Sequence, residues 1–240
     1  MRNLLLAGVA LVGLSAQADA ALITQASLFT PIPVPGTVTA IGLQGIATPS
    51  QGTIAGAGYT IGFNVGADQG VVSGASGGLH AIPVAGVSNG NPTYLTGDFG
   101  SAQTTNAGAA GNYLSTGLGT ITITFAAPQT SLALLWGSID SSNTITFNNA
   151  AGDTLAGSTV QSLAAGFVSN GFQGPGGSAY ISTLSDTPFT RVTLSSGVVS
   201  FESVGLIAST APISVPEPAS IALFSMGLLG MGLVRRRRQR

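Results

Sequence analysis

From Gly119 to Phe125 the chain reads Gly-Thr-Ile-Thr-Ile-Thr-Phe. The period of two puts Ile121, Ile123 and Phe125 on one face and Thr120, Thr122 and Thr124 on the other, the pattern of a half-buried antiparallel strand. Asn143 to Asn148 alternates again, with Ile145 and Phe147 inward. Ser131 to Trp136 is more uniformly apolar, as an inner strand would be. Further strands are expected at Leu22–Phe29, Thr53–Phe63, Gly70–Val72, Thr93–Leu95, Thr154–Val160, Ala179–Thr183, Phe189–Leu194 and Val198–Ile207. Glycine and asparagine clusters such as Ser169 to Gly177 separate them. Glycine is 35 of 240 residues, about twice the usual share of ~7%, which favours short strands joined by turns. No stretch between the two ends has helical period. The prediction is an all-β, single β-sandwich of jelly-roll-like type over residues 21–209, with a Gly-rich first half (21–110) and clearer strands in 111–209.

Charge narrows the partners. Between residues 21 and 210 the acids are Asp68, Asp98, Asp140, Asp153, Asp186 and Glu202, and the only base besides His80 is Arg191. Arg191 is expected to pair with Glu202 or Asp186. Such a surface argues against nucleic acid, whose phosphates require clustered cations. There is no cysteine, so thiolate chemistry, structural disulfides and Cys-based zinc sites are excluded.

The two ends are different in kind. Met1 to Ala20 reads as a secretory signal peptide: Arg2 is the basic n-region, Leu4 to Leu14 the apolar core, and Ala18-Asp19-Ala20 a small-x-small cleavage site. It implies a translocon and signal peptidase as partners. At the other end, a linker over 210–220 contains Val215, Pro216, Glu217 and Pro218, where the prolines hold the chain extended. An apolar run at 221–234 is expected to form a transmembrane helix, and Arg235, Arg236, Arg237, Arg238 and Arg240 keep residues 235–240 cytoplasmic. Counted from Ala219, that run has 16 residues, about 24 Å of helix against a hydrocarbon core of roughly 30 Å. Gly227, Gly230 and Gly232 weaken it further. So short a span suits a holding segment that is recognised and then processed.

This tripartite tail resembles the PEP-CTERM sorting signal of Gram-negative bacteria, which implies the membrane protease exosortase as a partner. A second resemblance covers Gly117 to Ile207. It is similar to a family of exosortase-dependent surface proteins whose passenger carries Trp-Gly-Ser-x-Asp-x-x-Asn and closes on a Phe-Glu strand. Here the motif is Trp136-Gly137-Ser138-Ile139-Asp140-Ser141-Ser142-Asn143, and the strand contains Phe201-Glu202. Ser142 stands where the family often has an aromatic, and Ser203-Val204-Gly205 where it often has an Asp-Asn pair after Phe-Glu. The resemblance implies sorting and architecture and confers no activity.

The candidate chemistry is sparse. Asp140, Asn143 and Glu202, with Asp153 as a further candidate, could supply oxygen ligands to Ca²⁺; the alternative is that Asp140 and Asn143 bond their own backbone to build a turn. The spacing lacks the dense Asp-x-Asp-x-Asp-Gly pattern and favours the turn. Trp136, the sole tryptophan, has two readings: an exposed sugar-stacking platform, or core filling at the end of an apolar strand, which large aromatics favour. Tyr59, Tyr94, Tyr113 and Tyr180 could extend a glycan surface. His80 is the lone histidine, and Gly74-Ala75-Ser76-Gly77-Gly78 has no strand-borne nucleophile for it, so it reads as surface decoration. Asp140 with Glu202 is the one carboxylate pair that a glycoside hydrolase could use.

The expectation is therefore an exported, non-enzymatic protein. It is first an inner-membrane-anchored precursor, then displayed at the cell surface or released into the extracellular polysaccharide or biofilm matrix of a Gram-negative bacterium. The alternative is a carbohydrate-binding β-sandwich module, Ca²⁺-assisted; a glycoside hydrolase is the third reading. No cofactor is implied.

Overall fold

The computed structural model describes residues 22–28, 32, 34–88, 91–95, 103, 104, 108, 110–168 and 171–210. The expected signal peptide with Ala18 and Ala20, the Val215–Pro218 motif, the 221–234 segment and the terminal arginines lie outside the described residues. Among the described residues no helix is long and apolar enough to cross a membrane.

The fold is all-β with one short helix. In order the elements are β1 (Leu22–Ser27), β2 (Val38–Ala40), β3 (Ile54–Gly56), β4 (Tyr59–Asn64), β5 (Gly70–Ser73), β6 (Val84–Ser88), β7 (Asn91–Leu95), β8 (Gln103–Thr104), β9 (Asn112–Ser115), β10 (Thr120–Gly137), β11 (Asn143–Phe147), β12 (Thr154–Ala156), α1 (Gly157–Leu163), β13 (Ala179–Ser196) and β14 (Glu202–Ser209). The main sheet runs β12-β11-β13-β10-β14-β9-β5, with β1 added to β13, β2 to β14 and the β3–β4 hairpin to β10. A smaller sheet, β6-β7-β8, stands apart from it. All the pairings are antiparallel.

Two long strands, β10 and β13, organise this sheet. Each was expected as two strands, because Ala126–Thr130 and Leu184–Pro188 interrupt the alternation. They instead run through, with the shared register slipping between Thr124 and Ser131. Pro128 and Pro188 both sit exposed in this stretch; lacking N–H groups, they are tolerated where the ladder is broken. Past this slip each strand changes partners. Thr120–Phe125 of β10 pairs with β4, whereas Ser131–Gly137 pairs with β14. Likewise β13 gives its last residues to β11 and its first to β1.

Alternation then divides the core. Leu132, Leu134, Trp136, Leu114, Ile181, Phe201 and Leu206 join Ile121, Ile123, Phe125, Ile145 and Phe147 in one large cluster. The intervening residues Leu135, Tyr113, Tyr180, Val204 and Val72 point to the opposite face and pack with Ala85 and Leu95 from the smaller sheet. The β5-β9-β14-β10 region is thus apolar on both faces, which explains why Ser131–Trp136 lacks a polar side. Gly205, at φ 64°, supplies the extra residue where β14 slips against β10 between Ala133 and Leu135, a bulge position that suits glycine.

Two expected strands are corrected. Thr53–Phe63 is not one strand but the β3–β4 hairpin, turning at Ala57 and Gly58, where Gly58 takes φ 82°. Thr154–Val160 is strand only to Ala156; Gly157–Leu163 is the helix α1. Gly-Ser-Thr-Val is a weak helix former, so packing decides. Val160 and Ala164, one turn apart, both enter the large cluster. Gly157 passes so close to strand-end backbone that a Cβ there would stand 2.0 Å from the Asp140 carbonyl oxygen.

Candidate functional site: a carboxylate-floored cleft

Glu202 opens β14 between two neighbours, opposite Gly137 of β10 and opposite Ser115 of β9; Ser115 in turn faces Gly70 of β5. Laterally paired residues share a face, so these four continue the Leu135–Tyr113 face to its end. The row is glycine, carboxylate, hydroxyl, glycine. The Pro83 ring covers Gly137, where a Cβ would meet it at 2.9 Å. At Glu202 the row borders a cleft of about 660 Å³. Gln69, His80, Ser138 and Ser200 line it together with Glu202, and Leu79, Leu118 and Val198 stand at its mouth, exposed by 42%, 72% and 71%.

The polar groups of this floor are knit together. Ser138 Oγ and the Ala81 N–H, at 3.2 Å, donate to the two Glu202 oxygens. Ser115 Oγ donates to Gln69 Oε1 at 2.5 Å and lies 2.7 Å from Ser200 Oγ, which accepts from the Gly117 N–H. Ser138 reaches its position with φ at 37°, an uncommon conformation for a non-glycine residue. Tyr113 donates to the Gly74 carbonyl at 2.5 Å, and its oxygen is 2.6 Å from His80 Nδ1. Because the phenolic proton is committed to Gly74, Nδ1 carries the histidine proton, which leaves Nε2 as an acceptor.

Burial sets the protonation of the floor. Glu202 is 2% exposed, and this desolvation pushes its pKa up to about 7, against the smaller opposing effects of Ser138, Ala81 and Ser200. Burial of the same kind lowers His80 from its ordinary value, opposed by Gly74 and Asp68, so it is neutral at pH 7. The Tyr113 phenol is pushed above its usual value by burial and by the nearby Glu202.

Other sequence-predicted residues are placed elsewhere. Trp136 is fully buried and stacks on Phe201, with ring centroids 4.3 Å apart. Asp140 and Asn143 sit in the β10–β11 turn. Asp140 Oδ1 accepts from the Ser142 N–H at 2.8 Å and from its hydroxyl at 2.6 Å, and Asn143 Oδ1 accepts from the Asp140 N–H at 3.0 Å. Asn143 Nδ2 donates to Ser196 Oγ and the Val199 carbonyl, both at 3.0 Å. Among the described residues no three His, Cys, Asp or Glu side chains gather as a metal group. Tyr59, Tyr113 and Tyr180 are buried. The expected Arg191–Glu202 pair is not made: Arg191 lies opposite Thr124 and Glu202 opposite Gly137, thirteen residues along the same strand. His80 is no surface decoration but lines the cleft. Gln69, Ser115 and Ser200 carry no signal in the sequence, because only the pairing of β5, β9 and β14 brings them to Glu202.

The comparisons with known proteins concern the tail. No curated protein and no solved structure matches the chain. Residues 214–238 match the family described as the PEP-CTERM protein-sorting motif. The chain thus ends in a sorting signal of PEP-CTERM type, which marks it as an exported protein anchored at the membrane for processing by exosortase.

Proposed function

We propose that this chain is a non-catalytic surface or matrix protein: a β-sandwich passenger delivered by the Met1–Ala20 signal, held by the 221–234 segment, and freed or displayed once exosortase has acted near Val215–Pro218. The observation that carries this reading is the placement of the last strand. β14 ends at Ser209, five residues before the matched segment begins at position 214. Every residue of β14 is buried, and the strand is paired with β10, β9 and β2. Processing downstream of it would leave the domain whole. The sandwich reading is supported by the change of partners along β10 and β13, whose two halves contribute to one apolar cluster.

The passenger resemblance gains a physical rationale residue by residue. In Trp136-Gly137-Ser138-Ile139-Asp140-Ser141-Ser142-Asn143, Trp136 stacks in the core, Gly137 admits Pro83, Ser138 bonds Glu202, and Asp140 with Asn143 builds the turn. Each is a structural task, which supports a scaffold over an enzyme. The carbohydrate-binding alternative called for aromatic platforms, and burial of Trp136, Tyr113 and Tyr180 weighs against it.

Intact-mass analysis of protein recovered from its native envelope and medium tests the proposal. The expected species begins at Ala21 and has lost the segment beyond Pro-Glu-Pro. Recovery of a chain that keeps both Met1 and Arg240 would sink it.

A further inference from the structure

The cleft beside Glu202 is lined by residues between Gly66 and Glu202, outside the matched sorting segment, and its charge balance points to a ligand. A buried carboxylate needs a partner of opposite charge or a proton. Among the described residues the only Lys or Arg is Arg191, and its register on β10 keeps it thirteen residues from the Glu202 pairing. The titratable groups near Glu202 are Tyr113 from β9, an un-ionised phenol that Glu202 acts on, and His80 from the 74–83 loop, which lines the same cleft and is held neutral by burial; Asp68 acts on His80. None supplies a positive charge at neutral pH. Yet the carboxylate is not sealed: it lines an open cleft of about 660 Å³ whose mouth is apolar at Leu79, Leu118 and Val198.

We propose that this cleft binds a small organic cation, a primary ammonium or guanidinium group on a short aliphatic stem. The charge would sit on the Glu202 carboxylate and the Ser138 and Ser200 hydroxyls, and the stem against Leu79, Leu118 and Val198. An anion finds no cation to meet it. A neutral alcohol gains hydrogen bonds but leaves the buried carboxyl without a counter-charge. The acid-rich passenger, with six acids to one Arg between residues 21 and 210, also draws cations toward the surface. The site is independent of how the tail is processed.

Binding a cation requires Glu202 ionised, so complex formation must displace the proton that burial retains to about pH 7. The test is calorimetric titration of the purified full chain with n-butylammonium, 1-butanol and butyrate from about pH 6 to about pH 8. The expected result is that butylammonium binds about tenfold more tightly at the upper pH, with proton release at the lower pH, and that butanol binds more weakly and butyrate not at all. His80→Gln should keep this pH dependence, and a folded Glu202→Gln should lose both the affinity and the preference for the cation over butanol. Equal affinity for butanol and butylammonium, butylammonium affinity that is flat across this range, or no heat of binding overturns the proposal. These comparisons use the native chain and stand even if Glu202→Gln fails to fold.

Discussion

Trp136 and Phe201 lie nearly parallel, their rings inclined by 20° with centroids 4.3 Å apart. Trp136 ends the apolar half of β10, and Phe201 immediately precedes β14. Their stack clamps the two strands just where the next residue of each, Gly137 and Glu202, pairs at the cleft. Trp136 Nε1 has no hydrogen-bond partner, so the indole serves by size and shape. Trp136→Ala is expected to cost about 3–5 kcal/mol. Trp136→Phe should cost much less, since it removes an unsatisfied donor along with part of the volume. Denaturant unfolding of the two variants checks the order; equal losses would mean that the stack is not the clamp.

Glu202 makes stability pH-dependent. Its folded pKa is about 7, raised by burial from 4.5. Below the unfolded value both states are protonated and the contribution is fully present. As pH rises from about 4.5 through about 7 the unfolded chain ionises first, so stability falls, by about 3 kcal/mol at most. Thermal melts of the native chain should therefore drop across this window. In Glu202→Gln the drop should vanish, and above about pH 7 the variant should melt as high as the native chain or higher. A melting temperature of the native chain that rises over the same range contradicts the assignment.

Gly157 offers a test in which local propensity and packing give opposite signs. In an exposed helix, glycine to alanine would gain about 1 kcal/mol. Here the added methyl meets the Asp140 carbonyl at 2.0 Å, so Gly157→Ala is expected to destabilise the protein by about 1–3 kcal/mol. A stabilised variant would show that α1 packs differently against the β10–β11 turn.

Asn143 discriminates between a turn and a calcium site. Of its three bonds, the one accepted from the Asp140 N–H closes the turn itself, and those donated to Ser196 Oγ and the Val199 carbonyl tie the turn to the end of β13 and the loop after it. Asn143→Ala should cost about 2–4 kcal/mol, from three lost bonds at about 1 kcal/mol each. Calcium or a chelator should leave the melting temperature of the native chain unmoved. A melting point that climbs with calcium would revive Asp140, Asn143 and Glu202 as ligands.

Much of the β structure could be read directly from the chain. The Thr-Ile alternation of Thr120–Phe125 and that of Asn143–Phe147 appear as strands with the expected faces buried, because period two is a local property of the backbone. The merging of four expected strands into β10 and β13 could not be read: Pro128 and Pro188 look like terminators unless the ladder resumes beyond the break, which only the paired partner strands decide. α1 was hidden for a related reason, since Gly157–Val160 is helical only because the core receives Val160 and Ala164.

The sequence alone determined the address and the class. The matched sorting segment, with its proline pair, short apolar run and arginine cluster, and the alternating Thr and Ile residues are each written within a few contiguous positions, and contiguous patterns survive without a fold. Only the tertiary structure decided the cleft. Gln69, His80, Ser115, Ser138, Ser200 and Glu202 are scattered over more than half of the chain, and antiparallel register with burial turned an ordinary carboxylate into one poised near neutrality.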